Sequence, residues 1–169
     1  MSKKITKAQV IGKSQNRTAL GMMAAFVAMH PSVTAAELRT KFPKSPICPD
    51  AGIDHLFYTE SEFAEQTSDW FVNGNACFTK DGEWLTLGNG QKVAFNKVWT
   101  SGSLERLQAE MAKYGITGSV GTVSKSAPAG YEIRYEYAEE KKGGIPMWFW
   151  LIIIILAVVG YAVTNMMAG

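Results

Sequence analysis

Cys48, Cys77 and His55 are the side chains of this sequence best suited to hold a metal ion, and Asp54 beside His55 is its one acid–histidine neighbour pair. Zinc modules bring ligands together in closely spaced pairs, whereas Cys48 and Cys77 stand far apart with no Cys-x-x-Cys. Free thiols are therefore expected. Neighbouring side chains such as Asp54 and His55 point apart, and no Gly-x-Ser-x-Gly turn offers them a nucleophile. His30 precedes Pro31 and reads as a helix-end or surface residue. Glu60, Glu62 and Glu65 could bind a cation, but their spacing suits a solvated helix face better. Gly88-Asn89-Gly90 lacks the lysine and following helix of a phosphate loop and reads as a turn. The expectation is a protein that is not an enzyme, with no metal site and no cofactor.

Basic residues supply the other chemistry. The chain carries 17 Lys and Arg against 15 Asp and Glu, and these are unevenly placed. Residues 1–44 hold Glu37 as their one acid against a run of lysines and arginines, while residues 45–100 are net acidic. Arg17, Arg39, Lys41 and Lys44 are the candidate contacts to nucleic acid or to anionic lipid, where each basic side chain contributes about 1 kcal/mol near a membrane surface.

Those residues need elements to position them. Leu20, Met23, Ala24, Val27 and Ala28 recur at the spacing of one helix face, which predicts a helix from about Arg17 to Met29, ended by His30-Pro31. Thr34-Ala-Ala-Glu37 has the pattern of a capping box, and Pro43 stops the helix that it begins. A helix pair of this kind resembles the start of a winged-helix unit. Prolines at 43, 46 and 49 predict a loop over 43–56. Asn89-Gly90 between Glu83–Leu87 and Lys92–Trp99 predicts a β-hairpin. A last helix follows, with Ser101 or Ser103 as cap, Leu104, Leu107, Met111 and Tyr114 as its buried stripe, and Gly115 past its end. Residues 117–130 are rich in Gly, Ser and Ala and read as a linker; Tyr131–Tyr137 alternates as a strand or a stalk would.

The end of the chain has a different solvent. No charged residue follows Lys142. From Ile145 to Val163 only Pro146 and Gly160 fall outside the hydrophobic set, and a helix of that length covers roughly 28 Å, close to the hydrocarbon core of a bilayer. Trp148 and Trp150 suit one interface and Tyr161 the other, with Leu151, Ile152, Ile153, Ile154, Ile155 and Leu156 between them. Lys141 and Lys142 mark the cytoplasmic side and a site of lipid contact. Gly160, Thr164 and Ala168 form a small-residue stripe on which another helix could pack. The expected order is a basic tail over 1–15, a cytoplasmic α+β domain over 16–116, a linker or stalk over 117–144, a transmembrane helix over 145–165 and a short tail over 166–169.

Two stretches also carry a family likeness. Arg17-x-Ala19, Pro31-x-x-Thr34-x-x-Glu37-Leu38 and Phe42-Pro43, followed by Trp84, Gly88, Val93-Ala94, Trp99 and Tyr114-Gly115, resemble a small α/β domain of bacterial restriction-type and other defence-linked proteins. The resemblance spans about residues 16–116. It implies a recognition or adaptor module of bacterial or phage origin and carries over no catalytic residues.

Together these readings predict a single-pass, tail-anchored protein of the bacterial inner membrane, with an α+β domain of helix pair and hairpin in the cytoplasm. That domain is expected to act as a binding, adaptor or sensing module for a protein partner or a second copy. The alternatives are a small subunit of a larger membrane complex and a membrane-tethered nucleic-acid-binding protein.

Overall fold

A computed structural model describes residues 4–138, which lie in one compact unit. The expectations placed on Lys141, Lys142, the span 145–165 and the stripe of Gly160, Thr164 and Ala168 lie outside the described residues. Among the described residues no helix is long and apolar enough to cross a membrane. The unit is mixed α+β.

Its first element corrects the expectation of a basic tail. Ile5–Gly12 is a strand, β1. Ala8, Val10 and Gly12 are buried, while Lys7 and Gln9 beside them are exposed, so the period of two was present beneath the lysines. Helix α1, Gln15–Met29, follows. Its stretch Gly21–Met29 contains no polar side chain, and a helix apolar on all sides is one covered on more than one side. Phe26 sits at its centre with no exposed surface, edge-on to Phe42 at 4.8 Å and to Tyr114 at 4.9 Å. Burying such a ring stabilises the fold by about 1.5–3 kcal/mol. His30 ends the helix as expected: its ring stacks on Phe26 at 4.2 Å and its Nδ1 donates to the Phe26 carbonyl at 2.9 Å.

Thr34 caps α2, Ala35–Lys41, with the reciprocal Thr34–Glu37 bonds of a capping box. These bonds hold the Glu37 carboxyl below its ordinary pKa, chiefly through the Thr34 N–H. A short turn α3, Lys44–Ile47, leads into the proline-rich loop. Then come β2 (Phe57–Thr59), α4 (Glu60–Ala64), α5 (Asp69–Val72), β3 (Cys77–Phe78), β4 (Leu85–Thr86) and β5 (Lys92–Asn96). Thr59 and Glu62 make a second capping box, at the start of α4.

Strand β5 organises the second sheet. Phe57 of β2 and Phe78 of β3 both pair with Phe95, and Thr59 of β2 and Leu85 of β4 both pair with Val93. So β2 lies on one edge of β5, and β3 and β4 lie on the other. The expected hairpin is present: Gly90 has φ +83°, its N–H donates to Leu87, and Leu87 donates to Gln91. Both paired strands are shorter than expected, and β5 ends early because it passes into an asparagine corner. Buried Asn96 donates to Val98 O at 2.8 Å and accepts from Val98 N at 3.0 Å, turning the chain before Trp99.

Helix α6, Ser101–Ala112, is capped by Thr100, one residue before the expected serine; its hydroxyl accepts from Ser103 N. Leu104, Leu107 and Met111 are buried as their spacing predicts. The supposed linker is instead structural. Ile116–Val120 is β6 and Tyr131–Tyr137 is β7, and both flank β1, β6 in parallel and β7 antiparallel. Helix α1 packs on one face of this sheet. Gly118, which reads as linker composition, is needed for that packing: a Cβ there would overlap the Met22 sulfur and press on Thr18. The unit therefore extends past Ile116 to Ala138.

Candidate functional site

Four elements converge on one open concavity. α1 contributes Ala24, Val27 and Ala28, the turn after it Pro31, β4 and its approach Glu83 to Thr86, and the start of β7 Tyr131. The cavity has a volume of about 320 Å³ and mostly apolar walls. Small side chains on α1 leave room for it, and Gly88 keeps its far wall close. An added Cβ at Gly88 would overlap the Pro31 carbonyl, so only glycine lets the hairpin approach the end of α1.

The polar edge of this groove is neutralised from within. Arg17 pairs with Glu83 at 2.6 Å, with only 17% and 8% of their side chains exposed. The second carboxylate oxygen of Glu83 accepts the Lys80 N–H at 3.1 Å. Arg17 also donates to Ala129 O at 3.1 Å and lies 4.7 Å over the Phe78 ring. Tyr131 is half-buried, and its hydroxyl is pushed above the usual tyrosine pKa by burial, against the pull of Arg17. Trp84 stands on the rim, its Nε1 donating to Thr79 O at 3.0 Å and its ring edge-on to Phe63. Such a site offers mainly apolar contact, with Thr86 and Tyr131 as the uncharged hydroxyl-bearing residues of its lining. It suits binding of an uncharged, bulky group.

The other residues singled out from the sequence are scattered. Arg39 faces inward, donating to Phe57 O from Nε and Nη2 and pairing with Glu62. That guanidinium is the main reason the Glu62 carboxyl titrates at about 2. Arg17 and Arg39 thus hold the fold together, whereas Lys41 is exposed and Lys44 half-buried. Of the acidic trio, Glu60 and Glu65 are exposed and only Glu62 has a structural duty. Cys48 and Cys77 are buried and unpaired with each other; Cys48 donates to Val98 O, and burial pushes the Cys77 thiol up to about 12. Asp54 and His55 have exposed side chains, and their backbone N–H groups donate to the Tyr58 hydroxyl. Among the described residues no three His, Cys, Asp or Glu side chains gather as metal ligands.

Glu83, Tyr131 and the Ala24–Ala28 flank of α1 were not legible as a site. The one sequence signal for them was the run Gly21–Met29, too apolar for a helix with a single buried stripe. No known protein family, curated protein or solved structure matches this chain.

Proposed function

We propose that this chain is a membrane-tethered binding module, whose α+β domain receives one uncharged, bulky side chain of a protein partner in the groove between α1 and β4. The groove carries this reading: its walls are apolar, its volume of about 320 Å³ suits a large side chain, and the Arg17–Glu83 pair leaves its edge without net charge. The apolar stretch 145–165 supports the tether. In this reading it is a single-pass, tail-anchored helix of a bacterial inner membrane, with residues 1–142 in the cytoplasm and Lys141 and Lys142 at the lipid surface. The α1–α2 pair and the β4–β5 hairpin serve as a winged-helix-like unit turned to protein recognition. The likeness to defence-linked domains points the same way, to an adaptor or sensor. The nucleic-acid alternative is left with Lys41 and Lys44, since Arg17 and Arg39 are engaged internally.

The test is capture of a stoichiometric partner by the full chain in mild detergent, repeated with Ala28→Trp. Ala28 is exposed on the groove wall, so a tryptophan there fills the cavity without disturbing the core. Loss of the partner with Ala28→Trp, and its retention with Lys125→Glu at an exposed position outside the groove lining, is the expected result. Equal capture by all three chains would sink the groove assignment.

A further inference from the structure

The three-stranded sheet β6-β1-β7 has two outer edges, and they differ. On β6 the side chain of Gln108 donates to Gly118 O at 2.7 Å and so covers the middle of that edge. Among the described residues the edge of β7 is open. Gly130 O accepts from Lys13 N and Ala138 N donates to Lys4 O, so even-numbered residues of β7 turn their backbone groups toward β1. Alternation then aims the N–H and C=O of Tyr131, Ile133, Tyr135 and Tyr137 outward, where no described residue pairs with them. A seven-residue edge of this kind is a template for another strand.

The side chains say which strand fits. One face of β7 presents Glu132, Arg134 and Glu136; the other presents Tyr131, Ile133, Tyr135 and Tyr137. Glu136 meets Lys7 at 3.4 Å across an exposed surface, and Arg134 makes no ion pair among the described residues. Two antiparallel copies of β7 centred on Arg134 would set arginine against arginine and Glu132 against Glu136. A shift that centres the pair on Tyr135 removes both conflicts. It places Arg134 opposite Glu136 of the second copy, twice by symmetry, and Ile133 opposite Tyr137. It also uses the outward-pointing backbone groups as mutual donors and acceptors and covers Tyr137, which is 51% exposed. Backbone parity and apolar cover are met by both registers, and charge selects the one centred on Tyr135.

We infer that β7 is a self-association edge: two copies of this chain join β7 to β7, antiparallel about Tyr135, into one continuous six-stranded sheet. The proposal rests on the edge of β7 and on charge, and shares only Tyr131 with the groove.

The test uses the full chain in mild detergent, followed by sedimentation and by oxidative cross-linking. Wild type sediments as a dimer. Arg134→Glu, an exposed change, weakens the dimer by about tenfold or more through like-charge opposition. Adding Glu136→Arg restores it, while adding Glu132→Arg does not. Tyr135→Cys cross-links, because residues facing across such a pair have Cα atoms about 5.5 Å apart, within the reach of a disulfide. Arg134→Cys and Ile133→Cys do not cross-link, and wild type is the control for the buried Cys48 and Cys77. A monomeric wild type, an Arg134→Glu variant as dimeric as wild type, rescue by Glu132→Arg, or cross-linking at 133 or 134 in place of 135 would each overturn the proposal.

Discussion

Arg17 and Glu83, 66 positions apart in the chain, form a 2.6 Å ion pair that is almost closed to solvent. The pair ties α1 to the turn before β4, and through Ala129 O to the turn before β7. Its place beside the groove means that the same two residues hold the fold and set the charge of the candidate site.

Arg17→Met should therefore destabilise the chain by about 3 kcal/mol, since it leaves the Glu83 carboxylate buried without its partner. The double variant Arg17→Met/Glu83→Gln should recover most of that loss. Chemical denaturation of the two variants measures the difference; equal stability of both would show that the pair is not coupled.

Gly88→Ala should cost about 1–3 kcal/mol, because the backbone carbonyl of Pro31 cannot yield to the new methyl group as a side chain could. Gly52→Ala is the matched control, since open space surrounds that position. Thermal unfolding midpoints should fall for the first and stay level for the second.

Acid should weaken the Arg39–Glu62 tie. The folded carboxyl titrates at about 2 against an ordinary value of 4.5, so the folded state favours the charged form. The resulting stability is present above about pH 4.5 and is lost as pH falls toward 2. Because 38% of the Glu62 side chain is exposed, solvent screening keeps the effect modest. Glu62→Gln should flatten the stability curve between about pH 4.5 and about pH 2, the ordinary and the folded pKa of this carboxyl. A curve as steep as that of wild type would assign the acid sensitivity elsewhere.

Thiol chemistry should be silent in the native protein. Cys48 and Cys77 are buried, and with a pKa of about 12 Cys77 holds almost no thiolate at neutral pH. A disulfide reagent should modify both only under denaturing conditions. This silence makes Ser126→Cys, on an exposed loop, a clean topology probe. In intact cells an impermeant maleimide should label it only after the membrane is opened; labelling beforehand would place the domain on the other side.

Much of the local structure was legible before any coordinates. Thr34 and Glu37 cap each other because a capping box spans four residues, and Asn89-Gly90 turns a hairpin because the positive φ is a property of the glycine itself. The stripe of Leu104, Leu107 and Met111 followed from helical period alone. Misreadings came where glycine or lysine composition masked a strand. Residues 5–12 looked like a charged tail, and residues 116–120 looked like a linker.

The sequence by itself determined what is encoded within a few residues: caps, turns, helix faces and the apolar stretch at the end of the chain. Only the tertiary structure decided that β1 lies between β6 and β7, that Arg17 and Arg39 turn inward, and that Ala24, Trp84 and Tyr131 share a groove. Ala8 pairs with both Ile116 and Tyr135, more than a hundred positions away. Such partnerships depend on how whole elements pack, and no local spacing carries them.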